Sequence, residues 1–239
     1  MTPIAIAKDP ELRNVWLRPT RAGRDGPPLT RARIAAEAVS LLDEEGAERL
    51  TMRRLAERLG AGTTTLYWHV DTKDDVIDLA IDEMFGQSPP PASHTDDWRA
   101  DLTTVLTGWR TALLRHPWAP AMLAHRPLIG PSSLTWMEFL QATLVRAGFT
   151  GPSLFAATWA LYNHVLGSTA SQTGLQLTDA ERRAGQENLR AHRDSYPTLA
   201  EHGFMLDDDW TGAFETGLGY LLDGLEARLR KPPGSGTME

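Results

Sequence analysis

With 239 residues, 41% of them apolar and 23% charged, the chain has an ordinary globular balance and can bury one large core or two modest ones. It has no cysteine, which excludes disulfides, thiolate zinc sites and a cysteine nucleophile. The net charge of −7 is unevenly spread: residues 1–24 carry +3, residues 1–70 carry +2 and residues 71–239 carry −9. A basic end on an acidic body suits a small anion-reading module on a larger body, although chance produces such asymmetry about as readily. No window approaches about 18 consecutive apolar residues, so no membrane-spanning helix is expected. The opening residues lack the basic front and apolar run of a signal peptide, and a cytoplasmic location is the expectation.

Residues 1–28, punctuated by Pro3, Pro10, Pro19, Gly23, Gly26, Pro27 and Pro28, read as a flexible basic arm. From Thr30 the period is helical, with Ile34, Ala38, Leu41 and Leu42 on one face of a helix that ends near Gly46. Thr51 can cap a second, short helix with Met52, Leu55, Ala56 and Leu59 as its apolar face. Gly60-Ala61-Gly62 stops it, and glycine suits the positive φ of a C-terminal cap. A third short helix runs from Thr63 to about Val70. A fourth restarts between Asp71 and Asp75, with Ile77, Ala80, Ile81, Met84 and Phe85 on one stripe. After Pro89-Pro90-Pro91, longer helices are predicted over about 96–116, 132–148, 152–172 and 208–230. The polar stretch 174–207 holds one short helix near 179–192. No strand alternation persists. The expected class is all-α: an N-terminal three-helix unit over 29–86, a C-terminal helical domain over 95–231 and a disordered tail over 232–239.

Residues 51–70, TMRRLAERLGAGTTTLYWHV, carry the sharpest signal. Two short helices crossing steeply need a small residue where they touch, glycine at the turn, and an apolar residue that pins the second helix on the first; Ala56, Gly60 and Leu66 meet those demands. Such a helix-turn-helix lays its second helix in the DNA major groove. Thr51, Thr63, Thr64 and Thr65 offer short donors and acceptors to bases or phosphates, and Arg53 can reach a guanine or a phosphate. An ordinary helical hairpin capped by threonines shares this spacing. Arg13, Arg18, Arg21 and Arg24 in the arm could follow a minor groove, or belong to a solubilising tail.

The run Leu50-Thr51-x-Arg53-x-Leu55-Ala56-x-x-Leu59-Gly60, then Thr65-Leu66-Tyr67-Trp68-His69-Val70 and Lys73, resembles the DNA-binding domain of the tetracycline-repressor (TetR) family. Weaker likeness to the family's C-terminal domain continues through Trp98, Arg110 to Arg115, Arg126-Pro127, Gly148-Phe149 and Phe214 to Glu226. The resemblance implies that Arg53 contacts a base, that Thr65 and Tyr67 contact bases or backbone, and that His69 and Lys73 meet phosphates. Trp68 is expected to pack in the three-helix core. The resemblance also implies a homodimer built on the last helix and the one ending before Gly174, with Trp159, Tyr162, Leu166, Gly217, Leu218, Leu221, Gly224 and Leu225 at the interface, although packing within the chain's own core is the alternative for Trp159, Tyr162 and Leu166. Gly217 and Gly224 share a helical face, where each costs about 1 kcal/mol relative to alanine, so close helix contact is a reason for them.

The middle helices are rich in large apolar groups, and Val105, Trp109, Met122, Met137, Leu140 and Trp159 are candidates for an effector cavity, with His125 and Asn163 as polar handles. Against the tetracycline binders the sequence departs: Met122 stands where the magnesium-linked imidazole is expected, Val105 and Leu140 replace polar contacts, and Trp109 replaces a phenylalanine. The expected effector is therefore bulky, partly apolar and metal-free, and no cofactor is expected. No metal-binding H-E-x-x-H, phosphate-cradling glycine loop or nucleophile elbow is present, so an enzyme is not expected. The reading is a repressor released from a palindromic operator by a small molecule. The alternative is a regulator of the same fold that senses no ligand or that activates.

Overall fold

The structure is a computed structural model that describes residues 14–18 and 29–230. Among the described residues there are eleven α-helices and no strand. α1 (Arg31–Glu45) starts at Thr30, whose hydroxyl accepts from the Arg33 amide at 3.1 Å, and buries Ile34, Ala35, Ala38, Val39, Leu41 and Leu42. α2 (Met52–Arg58) is capped in the same way by Thr51. It ends where Gly60 takes φ +64° and the Ala61 amide donates back to the Ala56 carbonyl at 3.0 Å. α3 (Thr63–Leu66) continues as looser turns to Val70 and is pinned by the fully buried Leu66.

α4 (Lys73–Gly86) opens with a reciprocal cap between Thr72 and Asp75. The sequence stripe underestimates it. Val76, Ile77, Leu79, Ala80, Ile81, Met84 and Phe85 are all buried, most of the helix circumference. Neighbours account for the width: α1 covers α4 on one side, and α5 (Trp98–Arg115), α6 (Ala119–Leu123) and α7 (Pro131–Ala147) cover the rest. α8 (Gly151–Gly174), α9 (Asp179–Ala191), α10 (Pro197–Glu201) and α11 (Trp210–Arg230) complete the chain. Contacts divide it into two compact units, residues 1–160 and 161–239. The first unit runs on past Pro89-Pro90-Pro91 because α4 packs against α5 and α7.

Two polar latches tie the first unit together. Asp43 of α1 accepts from Trp118 Nε1 at 2.7 Å and lies 2.8 Å from His116 Nδ1. Buried Asp82 of α4 accepts the Ser133 and Ser132 amides at 2.8 and 3.2 Å, capping α7 from a neighbouring helix. Residues 14–18 also depart from the flexible arm expected over 1–28. Val15–Leu17 forms a 3-10 turn, Val15 is fully buried, and Asn14 Nδ2 donates to Asp78 at 3.1 Å. One valine is too short a signal for any periodicity argument, so this anchor is not legible in the sequence. Arg13, Arg21 and Arg24, with the tail over 232–239, lie outside the described residues.

Charge holds α1 to α2. Arg58 meets Glu37 at 2.5 Å and Glu44 at 2.7 Å, and Arg54 meets Glu45 at 2.7 Å. Hydrogen bonds from Arg58, then from Ser40, hold the Glu44 carboxyl down from 4.5 to about 2, and Arg54 lowers Glu45. A carboxyl with a depressed folded-state pKa stabilises the fold above its unfolded value and loses that contribution as pH falls toward the folded value. The melting temperature should therefore drop on acidification from pH 4.5 toward about 2. In Arg58→Ala the drop should be shallower, as read by circular dichroism melts. Equal slopes in parent and variant would remove the network from the account of acid sensitivity.

Candidate nucleic-acid interface and apolar pocket

α2 and α3 bury Leu55, Ala56, Leu59 and Leu66 against each other, which leaves the opposite edge of both helices to solvent. Thr51, Thr63, Thr64, Thr65 and Lys73 are exposed on this edge. Arg53 has 85% of its side chain exposed and pairs with the Glu57 carboxylate, 2.9 Å away on the next turn. Thr51 already spends its hydroxyl as the α2 cap, and the Lys73 ammonium rests on the Ala47 carbonyl at 3.3 Å. His69 is half-buried, and burial, then the nearby Arg31 guanidinium, pull its pKa below the ordinary histidine value. It is thus neutral near pH 7 and offers a phosphate one N–H rather than a charge. Arg31 Nε donates to the His69 carbonyl at 3.3 Å and steadies that turn.

Tyr67 is 44% exposed and Trp68 54% exposed, so Trp68 does not pack in the three-helix core as expected. Leu66 and Val70 fill that core, and the helical turn between them points Trp68 outward with Tyr67. Arg18 also departs from its expected place in a free arm, because it pairs with Asp71 and Asp75.

In the first unit, α4, α5, the segment after α6 and α7 line a small apolar pocket that is partly open to solvent. Its walls are Phe85, Val105, Leu106, Trp109, Leu128, Trp136, Met137 and Leu140. The Phe85 ring lies 5.9 Å from that of Trp109 and 6.1 Å from that of Trp136, and Trp136 Nε1 donates to the Phe85 carbonyl at 3.2 Å. Of the sequence candidates, Val105, Trp109, Met137 and Leu140 meet here. Met122 is half-buried and His125 exposed on or just after α6, Trp159 and Asn163 are exposed on α8, and none of the four lines the pocket. Phe85, Leu106, Leu128 and Trp136 are walls that the sequence does not reveal, because a single helix period does not show which helices face one another.

The second unit explains part of the candidate dimer surface differently. Tyr162 is 6% exposed and Leu218 3% exposed, so both are consumed by the chain's own core. Gly217 answers to a neighbour within the chain: a Cβ there would lie 2.7 Å from the His164 ring, which stacks on Phe214 and bonds its carbonyl at 3.0 Å. Leu166, Leu221 and Leu225 are half-buried, Gly224 is open, since a Cβ there would meet nothing within 4 Å, and Trp159 is exposed in the first unit.

Residues 34–80 match the family of bacterial regulatory proteins termed the tetR family, and residues 90–229 match the tetracyclin repressor-like C-terminal domain. The chain belongs to the TetR family. It is a transcriptional regulator and not an enzyme. An HTH-type transcriptional regulator of Saccharopolyspora erythraea is 42% identical over 215 residues, which span 89% of this chain and 91% of that relative. The HTH-type transcriptional repressor DrrR1 of Streptomyces coeruleorubidus is 34% identical, over 91% of this chain and 84% of that protein. Among solved structures, the TetR family protein ActR of Streptomyces coelicolor in complex with actinorhodin superposes with a TM-score of 0.74 at 25% identity, covering 85% of this chain and 100% of ActR. No helix among the described residues is long and apolar enough to cross a membrane.

Proposed function

We propose that this TetR-family regulator is a cytoplasmic, homodimeric repressor that reads a palindromic operator and is released by a neutral, flat, largely apolar small molecule. One observation carries the reading: Phe85 at the last turn of α4 is a wall of the pocket, while the first turn of α4 carries Lys73 and joins the recognition helix. A helix of this length spans about 20 Å, so a ligand that displaces Phe85 moves the recognition unit. Release follows only if the ligand favours the form that binds DNA poorly. The pocket walls carry no carboxylate or imidazole, which suits a neutral aromatic guest and gives tetracycline-bound magnesium nothing to hold. A repressor among the relatives and a structural neighbour bound to actinorhodin fit the same reading. Two short recognition helices in a symmetric dimer would fall about 34–36 Å apart, or a multiple of that.

Selection of a bound duplex from a random DNA pool, followed by fluorescence anisotropy, tests it. Arg53→Ala should relax discrimination at one base position by about 1–3 kcal/mol. Lys73→Ala should weaken all duplexes alike and lower the log–log salt slope by about 1. Unchanged specificity in the Arg53 variant would demote that residue to a backbone contact. On the selected duplex, a screen of neutral aromatic compounds should find releasers to which Trp109→Ala is insensitive. A screen in which only charged or magnesium-bound compounds release would defeat the pocket assignment.

A further inference from the structure

We propose that Arg18 is a positioning residue for DNA reading: it pins the turn between the recognition helix and α4 by pairing with Asp71 and Asp75 together. The inference rests on the DNA-reading function above. Asp71 lies in the turn that leaves the recognition unit, and Asp75 is the buried capping carboxylate of α4. Asp75 also accepts the Asp71 amide at 2.7 Å and the Thr72 amide at 3.1 Å, so one carboxylate joins Arg18, the turn and the helix start. Burial works to raise the Asp75 carboxyl, but Arg18 and those amides outweigh it and leave its pKa below the usual value.

The anchor is continuous with the pocket. Asn14, on the same short 3-10 turn, donates to Asp78 one turn further along α4. From the other side Arg126 bonds the same Asp78 at 2.7 Å and Asp74 at 2.5 Å, two residues before the pocket wall Leu128. The N-terminal turn and the pocket loop therefore grip successive turns of one acidic helix face. A direct DNA role for Arg18 is disfavoured by the same geometry, since a phosphate would have to displace two carboxylates within a field of like charge.

Binding of the full-length protein to its selected duplex across a salt series tests the assignment. Arg18→Ala, checked as folded by circular dichroism at the assay temperature, should bind about tenfold more weakly with an unchanged salt slope. Arg18→Lys should recover only part of the loss, because an ammonium cannot span both carboxylates as a guanidinium fork does. Asp71→Asn gives the sharper contrast and leaves Asp75 paired. Removing a negative charge beside DNA tightens binding if charge alone matters, whereas loss of positioning weakens it. Should Arg18→Ala fail to fold, Asp71→Asn decides alone. A slope lower by about 1 with full rescue by lysine identifies a phosphate contact, and tighter binding by Asp71→Asn or parental affinity in Arg18→Ala equally overturns the proposal. If the parent selects no duplex, it is the DNA-reading function that fails.

Discussion

Asp82→Ala is expected to lower the free energy of unfolding by about 3 kcal/mol, because it strands the buried Ser133 amide and the part-buried Ser132 amide. Asp82 sits on α4 but serves α7, where the Ser133 and Ser132 amides at the helix start donate to its two oxygens. Those are amides a helix cannot satisfy internally, and a carboxylate there also meets the positive end of the helix dipole. Gly130 is part of the same fit: any Cβ at that position would run into the Asp82 carboxylate. Asp82→Asn should recover only part of the loss, since its amide presents one acceptor and turns an N–H toward the other donor. Urea unfolding measures both variants. A loss no larger than about 0.5 kcal/mol, the size of an ordinary surface change, would mean that water replaces the cap and that the α4–α7 joint does not depend on Asp82.

Trp136→Ala should cost about 3–5 kcal/mol in the same experiment, the range for deleting a large core aromatic. The indole is buried, its N–H holds the carbonyl of Phe85, and its far edge lies against Gly108, where a Cβ would stand 3.2 Å away. The deletion also enlarges the pocket. The folded variant should therefore take up a neutral naphthylamine dye more strongly than the parent, read as enhanced dye fluorescence. A destabilised variant with unchanged dye uptake would show that the space collapses and that Trp136 serves packing alone.

The parts of this fold legible in the sequence are those governed by a local rule. Gly60 at positive φ, the threonine cap of α2, the buried Leu66 and the long helices of the C-terminal region follow from period and capping chemistry. α6 and α10, five residues each, are too short to show a period. The candidate sites divide along the same line. Residues of the exposed α2–α3 edge are close in sequence, so their shared face can be read, except at Trp68, whose aromatic type points to the core while its place on the turn points outward. The pocket is assembled from four separate segments, and only Val105, Trp109, Met137 and Leu140 are legible because the remaining walls depend on helix pairing. Arg18 looks like one basic residue of an arm until Asp71 and Asp75 stand beside it.

The shared wall between α4 and the pocket has a consequence for anyone recombining such regulators. A chimera cut at Pro89-Pro90-Pro91, the break that the sequence invites, carries Phe85, Asp82 and Asp78 away with the DNA-binding part. The recipient body then loses an aromatic side of its apolar pocket, the cap of α7 and the carboxylate that Arg126 grips. The helix-turn-helix unit and the pocket thus share α4, and a working graft has to exchange the loop at Arg126–Leu128 and the start of α7 along with the first four helices.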